Sequence, residues 1–329
     1  MNLQGKTILI TGGTGSFGSK LVEVLLESHD PAAIRIFSRD ELKQSQLRRR
    51  FADDDDRIRY LIGDVRDLPR LARATRGVDV IVHAAALKQV PICEYNPFEA
   101  VQTNVVGAEN VVSAAIENDV PLTIALSSDK AVNPVNLYGA TKLCAEKIVT
   151  QGNAYSGDSR ARFANVRYGN VVGSRGSVIP LFKAQAPTGI LTITDVRMTR
   201  FWITLERAVD FVLDSLGRMG GGEVFVPKIP SMRVTDMAQA LAPDAEQRII
   251  GIRPGEKLHE VLLTEDEARH SLETEDGFVI LPEHASWPLR EVEDGRPFPS
   301  GFHYSSDQND HWLGVDELTE MAAGVGAAL

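Results

Sequence analysis

A glycine-spaced loop near the N-terminus constrains the fold of this chain more than any other feature. Residues 6–10 (KTILI) form an apolar run that is typical of a buried parallel strand. The next segment, T-G-G-T-G-S-F-G, places glycines at 12, 15 and 18, and apolar residues at helical spacing follow it. Gly12 permits a tight turn, Gly15 lets the backbone approach a pyrophosphate, and Gly18 lets helix and strand pack closely. The loop therefore predicts a dinucleotide site with the pyrophosphate at a helix N-terminus.

Strand and helix patterns alternate through the first half of the chain. After the first strand, we predict further strands at residues 33–37, 58–62, 78–82, 122–126 and 162–167. A long helix is predicted from Asn96 to about Asn118, and Asn104 within it is placed to bond the neighbouring strand loop. This alternation predicts an α/β protein with a Rossmann-type, doubly wound parallel sheet.

The alternation breaks down after residue 171. A short helix is predicted from Ile179, a helix over residues 204–216 with Thr204 as its N-cap, and a strand over residues 223–226. Residues 53–56 and 173–177 are predicted to be loops. We predict a Rossmann domain over residues 1–171, to which about 200–226 return. A smaller mixed α/β substrate lobe is predicted over residues 172–199 and 227–329.

The end of the second strand favours NADP over NAD. An acidic residue at this position would bond the ribose 2′-hydroxyl of NAD, but the chain has Ser38 there, followed by Arg39. Lys43 lies one helical turn further on, and two cations suit a 2′-phosphate. Asp40 is predicted to cap the helix that begins at Glu41.

Other residues at the strand ends complete the predicted cofactor site. Asp64 is placed to receive the adenine amino group, and the small residues around Ala84 let the cofactor lie against a strand end. Lys88 is placed to reach the cofactor or a substrate phosphate. The predicted cofactor-binding residues are Gly12, Thr14, Gly15, Ser16, Phe17, Gly18, Arg39, Lys43, Asp64, Val65, Ala84, Lys88, Tyr138 and Lys142.

The predicted catalytic residues follow the fifth strand. Tyr138 and Lys142 are four residues apart, so they share one face of a helix. We expect the lysine to pull the pKa of the phenol toward neutrality, which would make it a proton-transfer group. Ser128, Asp129 and Lys130 lie just upstream, at a strand end where ligands bind in open α/β sheets.

Composition excludes several classes of function. A net charge of −10 argues against a nucleic-acid-binding protein. Cys93 and Cys144 are the only cysteines, and they give neither a disulfide framework nor a metal-binding spacing, so no metal site is predicted. No apolar run is long enough for a membrane helix, and no signal-like segment precedes the first strand. The chain is therefore predicted to be a cytoplasmic protein that does not bind membranes.

The combined motifs resemble the extended short-chain dehydrogenase/reductases. Their shared marks are the glycine loop, the Ser128 hydroxyl and the Tyr138–Lys142 pair. The similarity is closer still to the inverting, 5-epimerising UDP-N-acetylglucosamine 4,6-dehydratases of bacterial surface-sugar pathways. It is carried by residues 38–44, 129–131, 167–177, 194–202 and 250–260.

The resemblance implies an internal redox cycle with NADP as cofactor and UDP-GlcNAc as substrate. Tyr138, assisted by Lys142 and Ser128, would take the proton of the sugar 4-hydroxyl. Asp129 would be the acid and Lys130 the base that together remove water. The product would be UDP-2-acetamido-2,6-dideoxy-β-L-arabino-hexos-4-ulose, a precursor for sugars such as pseudaminic acid. The substrate-binding residues would be Lys88, Asn170, Val178, Thr194, Arg253 and Glu256.

The Asp129–Lys130 pair discriminates among related activities. Retaining 4,6-dehydratases have an Asp-Glu pair at this position, and 4-epimerases need neither acid nor base for an elimination. To act as a base, Lys130 must be partly neutral, and we expect burial or a neighbouring cation to depress its pKa.

Two positions depart from the family pattern, and two alternative functions stay open. Ser128 stands where the family commonly has Thr, and Gln89 where it commonly has His. A UDP-sugar 4-epimerase is the first alternative. A non-catalytic NADP-binding regulator is the second, although such proteins lack the Tyr-Lys pair that this chain retains. The family tends to form homo-oligomers, and we expect the same here.

Overall fold

The structure is a computed structural model that describes residues 1–51, 55–173 and 178–324. Most of the two loops predicted at residues 53–56 and 173–177 therefore lies outside the described residues. So does the end of the 167–177 stretch that carries part of the family resemblance.

Six parallel strands form the centre of the main sheet. They are β1 (Thr7–Thr11), β2 (Ala33–Ser38), β3 (Ile58–Ile62), β4 (Val80–His83), β5 (Leu122–Leu126) and β6 (Arg162–Val166). Their spatial order is β3-β2-β1-β4-β5-β6, and each neighbouring pair is parallel. The order reverses between β1 and β4, which is the arrangement that opens a ligand crevice at the carboxyl ends of the strands. The predicted Rossmann-type fold is confirmed.

The sheet continues beyond β6. Strand β10 (Val224–Pro227) joins β6 in parallel, and β15 (Gly277–Ile280) joins β10 in antiparallel orientation. Strands β14 (Ser271–Glu273) and β16 (Arg296–Pro297) complete a sheet of ten strands. Residues that we assigned to the substrate lobe thus extend the main sheet, and the lobe boundaries themselves stay a prediction.

Twelve helices of α type surround the sheets in the described part of the chain. They are α1 (Ser16–Ser28), α2 (Glu41–Arg50), α3 (Leu68–Ala74), α4 (Val90–Tyr95), α5 (Pro97–Val101), α6 (Gly107–Glu117), α7 (Leu137–Tyr155), α8 (Val178–Gln185), α9 (Leu205–Arg218), α10 (Val234–Leu241), α11 (Glu265–Ala268) and α12 (Val315–Ala323). None of them is long and apolar enough to cross a membrane.

Two apolar layers cover the two faces of the main sheet. Side chains alternate along a strand, so Ile8 and Ile10 of β1 belong to one layer and Leu9 to the other. Helices α1 and α9 contribute to the first layer, while α3, α6 and α7 contribute to the second. This double winding leaves the strand ends, rather than the faces, open to ligands.

A third apolar cluster lies outside these two layers and contains Trp202 and Leu191. The remaining short strands are β7 (Asn170–Val171), β8 (Ile190–Ile193), β9 (Thr199–Ile203), β11 (Ser231–Arg233), β12 (Glu246–Ile249), β13 (Val261–Leu263) and β17 (Tyr304–Ser305). They pair in small sheets, with the order β11-β9-β7 and the pairs β12-β8 and β13-β17.

The predicted long helix from Asn96 to Asn118 is present and contains one wider turn. A π-helical turn at Gln102–Val106 separates α5 from α6. The wider turn contains Asn104, whose side chain donates to the carbonyl of Leu87 (2.9 Å) and accepts from its N–H (2.8 Å). The predicted long helix and the predicted contact between Asn104 and the strand loop are both confirmed.

Candidate active site

A cleft of about 610 Å³ lies at the carboxyl ends of the parallel strands. The glycine loop forms one end of it, and the turn after β5 with the start of α7 forms the other. Most of the predicted site residues line this cleft, namely Gly12, Thr14, Gly15, Ser16, Phe17, Gly18, Arg39, Lys43, Asp64, Val65, Ala84, Lys88, Ser128, Asp129, Lys130, Tyr138, Lys142 and Asn170.

The glycine loop is shaped as a cradle for a dinucleotide. Gly12 has a φ of +68°, and a Cβ at this position would lie 2.8 Å from the backbone nitrogen of Ala85. At Gly18, a Cβ would lie 2.5 Å from the Cα of Gly13. Both positions need glycine, the first because of its positive φ and close contact and the second because of its close packing. The loop leads directly into the N-terminus of α1, so these residues fit the pyrophosphate of a nicotinamide dinucleotide.

Charged residues gather at the end of the cleft beyond β2. Asp40 caps α2 as predicted, since its side chain accepts from the N–H of Lys43 (2.9 Å). The ammonium group of Lys43 also lies 2.9 Å from Asp40, and a guanidinium nitrogen of Arg39 lies 3.7 Å from Asp64. Arg39 and Lys43 are about half exposed, so both stay accessible to a ligand.

Arg66 is a contact of Asp64 that the sequence analysis missed. Its guanidinium donates to Asp64 Oδ2 from Nε (2.9 Å) and Nη2 (2.7 Å). Burial raises the pKa of Asp64, but these bonds outweigh burial and hold the pKa below its usual range. The carboxylate is therefore fixed at the end of β3 before any ligand binds.

A single 3₁₀ turn, Asp129–Ala131, presents the acid and the cation of the site. Ser128 caps this turn, and its hydroxyl donates to Asp129 Oδ1 (2.9 Å). The ammonium group of Lys130 donates to the same oxygen (3.0 Å). Asp129 is fully buried, and its Oδ2 has no hydrogen-bond partner among the described residues. The turn thus holds an acid–base pair one hydrogen bond apart.

Helix α7 approaches this turn closely. Its N-cap, Asn136, accepts from the N–H of Gly139 (2.7 Å), and a Cβ at Gly139 would lie 2.1 Å from the carbonyl oxygen of Lys130. Gly139 is therefore required for α7 to begin against the Asp129–Ala131 turn, which we call the catalytic turn for its predicted role. Tyr138 and Lys142 follow on the face that lines the cleft.

The expected effect of Lys142 on Tyr138 was wrong. Burial raises the pKa of Tyr138, and the opposing influences are a hydrogen bond with Ser128 and the charge of Lys130. The Nζ atom of Lys142 instead donates to the carbonyl oxygen of Leu126, and burial lowers the pKa of Lys142 to about 8. In this structure the cation that acts on the phenol is Lys130.

Glu260 is the main charge beside the Asp129–Ala131 turn that the sequence analysis missed. It is 2% exposed, and its Oε1 lies 3.4 Å from Lys130 Nζ. Burial would lower the pKa of Lys130, but the charges of Asp129 and Glu260 outweigh burial and hold this pKa above its ordinary value. The expected depression of the Lys130 pKa was therefore wrong. Glu260 is far from Lys130 in the sequence, so no local residue pattern could predict this contact.

Four of the six predicted substrate-binding residues do not line the cleft. Among the described residues, Val178 begins α8, Thr194 follows β8, and Arg253 and Glu256 form an ion pair of 3.8 Å in one loop. The loop of residues 253–257, called the substrate loop here for its predicted role, nevertheless lies beside α7. The carbonyl oxygen of Gly255 in the loop accepts from the side-chain amide of the helix N-cap (2.7 Å).

The chain is similar over most of its length to proteins of one known family. A family model for polysaccharide biosynthesis proteins matches residues 8–282. Two UDP-N-acetylglucosamine 4,6-dehydratases (inverting) from Campylobacter jejuni strains are 51% and 52% identical, and each alignment covers 96% of this chain and 97% of the relative. A UDP-glucose 4-epimerase from Rickettsia conorii is 44% identical over 84% of this chain and 82% of its own.

Solved structures share the fold. Pen from Bacillus thuringiensis superimposes with a TM-score of 0.90 at 38% identity, over 98% of this chain and 99% of that one. DesIV, a dTDP-glucose 4,6-dehydratase from Streptomyces venezuelae solved with NAD and TYD, superimposes with a TM-score of 0.67 at 24% identity, over 77% and 86%. The chain therefore belongs to the polysaccharide biosynthesis protein family of the extended short-chain dehydrogenase/reductases, and within it to the group of the inverting UDP-N-acetylglucosamine 4,6-dehydratases.

Proposed function

We propose that this protein is an NADP-dependent UDP-GlcNAc 4,6-dehydratase that inverts C5 of the sugar. The observation that carries the proposal is the Asp129–Lys130 pair, with its 3.0 Å hydrogen bond, in the same cleft as Tyr138. Elimination of water needs an acid and a base at adjacent carbons of one substrate, and this turn supplies both groups.

The cofactor would lie along the glycine loop, with its 2′-phosphate near Arg39 and Lys43. When bound, the nicotinamide accepts a hydride from C4 of the sugar and returns it to C6. Tyr138 would take the proton of the 4-hydroxyl in the first half of this cycle, and the hydroxyl of Ser128 and the charge of Lys130 favour the phenolate it needs. Lys142 would hold the nicotinamide ribose from the same helix face.

The acid–base pair accounts for the elimination in spite of the raised pKa of Lys130. One proton passing from Lys130 Nζ to Asp129 Oδ1, across their 3.0 Å hydrogen bond, leaves a neutral amine beside a carboxylic acid. The amine then takes the C5 proton, which the 4-ketone has acidified, while the acid protonates the C6 hydroxyl that leaves as water. Both groups return to their starting charges. Reprotonation of C5 from the opposite face inverts that centre.

The UDP part of the substrate would extend from the catalytic turn toward the substrate loop. Arg253 suits a diphosphate, because a guanidinium binds phosphate oxygens in pairs. Asn170 lines the cleft, and its Oδ1 has no hydrogen-bond partner in the described part of the chain. We assign Lys88, Val178, Thr194 and Glu256 to the same ligand as proposals from the family pattern. The cytoplasmic location and the homo-oligomeric state likewise stay predictions.

Incubation of the purified protein with UDP-GlcNAc in deuterated water, followed by NMR, tests the function. We expect loss of the C6 hydroxyl, a 4-keto group, deuterium at C5 and the inverted configuration at that carbon. Formation of UDP-GalNAc with C6 unchanged would instead show a 4-epimerase, the activity named for the Rickettsia relative.

A variant separates the elimination from the redox step. Lys130→Ala should abolish elimination, because it removes the base for the C5 proton, and it should leave cofactor binding intact. Full dehydratase activity in Lys130→Ala would contradict its role as the base.

A further inference from the structure

Glu260 lies directly behind the catalytic turn. Its Oε1 is 3.4 Å from Lys130 Nζ, on a side chain that is almost fully buried. Asp129 and Lys130 line the cleft, whereas Glu260 does not. Glu260 therefore contacts the cation of the acid–base pair from the side away from the substrate.

Both backbone polar groups of Glu260 form hydrogen bonds with Ser306. The N–H of Glu260 donates to Ser306 Oγ (2.9 Å), and the N–H of Ser306 donates to the carbonyl oxygen of Glu260 (2.8 Å). Ser306 is itself fully buried, and its hydroxyl lies 2.7 Å from Thr199 Oγ1. These bonds continue the β13–β17 pairing and fix the backbone from which the Glu260 carboxylate reaches Lys130.

Several charged or titratable groups face Lys130 from different elements. They are Asp129 of the same turn, Tyr138 of α7, Arg200 of β9, and Lys257 and Glu260 of the segment before β13. Arg200 Nε and Lys257 Nζ each lie 3.8 Å from a carboxylate oxygen of Glu260. Without Glu260, Asp129 would be the one carboxylate among these groups to balance the three cations. Repulsion among the cations would then displace Lys130.

We propose that Glu260 is the positioning residue that fixes Lys130 Nζ beside Asp129 Oδ1 and keeps the shared proton within this pair. The proposal rests on the proposed dehydratase function. Glu260 reaches no reacting atom, so it acts through Lys130 alone. Its negative charge keeps the proton from leaving the pair for solvent, and its fixed backbone sets the distance over which the proton moves.

Glu260→Gln tests the proposal, because it removes the charge and keeps the volume. The pair is competent while it holds one proton, so activity falls at alkaline pH where Lys130 loses that proton to solvent. Loss of a nearby negative charge moves such a pKa down by about 1–3 units. We therefore expect the alkaline limb of the kcat–pH profile to move to lower pH by at least about one unit.

A second measurement distinguishes this role from a general loss of structure. In a single turnover, reduced nicotinamide should form in Glu260→Gln at a rate within about threefold of the wild-type rate at neutral pH, while water loss slows by about tenfold or more. Glu260→Asp, which keeps the charge but shortens the reach, should lower kcat and keep the wild-type alkaline limb. This variant keeps the proposal testable if the Gln variant does not fold.

Glu267→Gln is the matched control. Glu267 pairs with Arg167 (2.8 Å) and does not line the cleft. A glutamine at position 267 can still form the capping box with Thr264. This variant should show the wild-type pH profile. The proposal is overturned if the alkaline limb of the kcat–pH profile does not move in Glu260→Gln. It is also overturned if this limb moves equally in Glu267→Gln or Glu260→Asp. If the wild-type protein itself forms an epimer without losing water, the proposed function fails instead.

Discussion

The most informative perturbation is Lys142→Met, which should stabilise the protein while it removes activity. Lys142 is buried on α7, and burial lowers its pKa from 10.5 to about 8. At neutral pH the folded protein therefore carries a charge that costs free energy to bury. Methionine has a similar length and no charge, so it fills the same space without this cost.

The magnitude follows from linkage. A fall in pKa from 10.5 to about 8, at about 1.4 kcal/mol per pH unit, corresponds to a penalty of about 3 kcal/mol. Methionine also loses the hydrogen bond to the carbonyl oxygen of Leu126, which costs about 1 kcal/mol. The net gain in unfolding free energy is therefore about 2 kcal/mol at pH 7.

The stability difference between the two proteins depends on pH. The folded-state pKa lies below the unfolded value, so the penalty is fully present below about pH 8 and fades as the pH rises toward 10.5. Urea unfolding of nucleotide-free wild-type and Lys142→Met protein at pH 7 and at alkaline pH measures the difference. We expect the advantage of the variant to shrink as the pH rises. A variant that is less stable at pH 7, or a difference that does not change with pH, would refute the reasoning.

Three further predictions concern other parts of the molecule. Arg167→Met should lower the unfolding free energy by about 3–5 kcal/mol, because it leaves the buried carboxylate of Glu146 unpaired, and adding Glu146→Gln should recover part of the loss in urea unfolding. Gly12→Ala should weaken nicotinamide nucleotide binding at least about tenfold by calorimetric titration, whereas Gly5→Ala, with the same positive φ but no atom within 4 Å of the added Cβ, should bind normally. Arg39→Ala should weaken NADP at least about tenfold more than NAD in the same titration.

Local signals in the sequence predicted the framework of the fold well. Five of the six central strands begin and end within one residue of the predicted bounds, since buried parallel strands are short apolar runs that end at polar or glycine residues. The helix caps at Asp40 and Thr204 were predicted for a local reason, because each side chain accepts from a backbone N–H three residues later.

Contacts between distant segments were outside the reach of local patterns. Helical periodicity predicted the long helix but not the π-helical turn at Gln102–Val106, where Asn104 bonds to Leu87 and Thr141. The pKa errors at Tyr138 and Lys130 have the same origin. Burial raises the pKa of Tyr138, and the charges of Asp129 and the remote Glu260 outweigh burial at Lys130. Neither burial nor the contact with Glu260 is visible as spacing.

Asn136 has a consequence for the redesign of substrate range. Its planar side-chain amide accepts from the N–H of Gly139 with one end and donates to the carbonyl oxygen of Gly255 with the other, at 2.7 Å each. One rigid group thus sets the distance between the first turn of the catalytic helix and the substrate loop. In a variant library aimed at other sugar nucleotides, Gly255 should stay unchanged, because its carbonyl oxygen anchors the loop to α7. Side chains on either side, such as Arg253 and Glu256, can be varied while the catalytic groups keep their register.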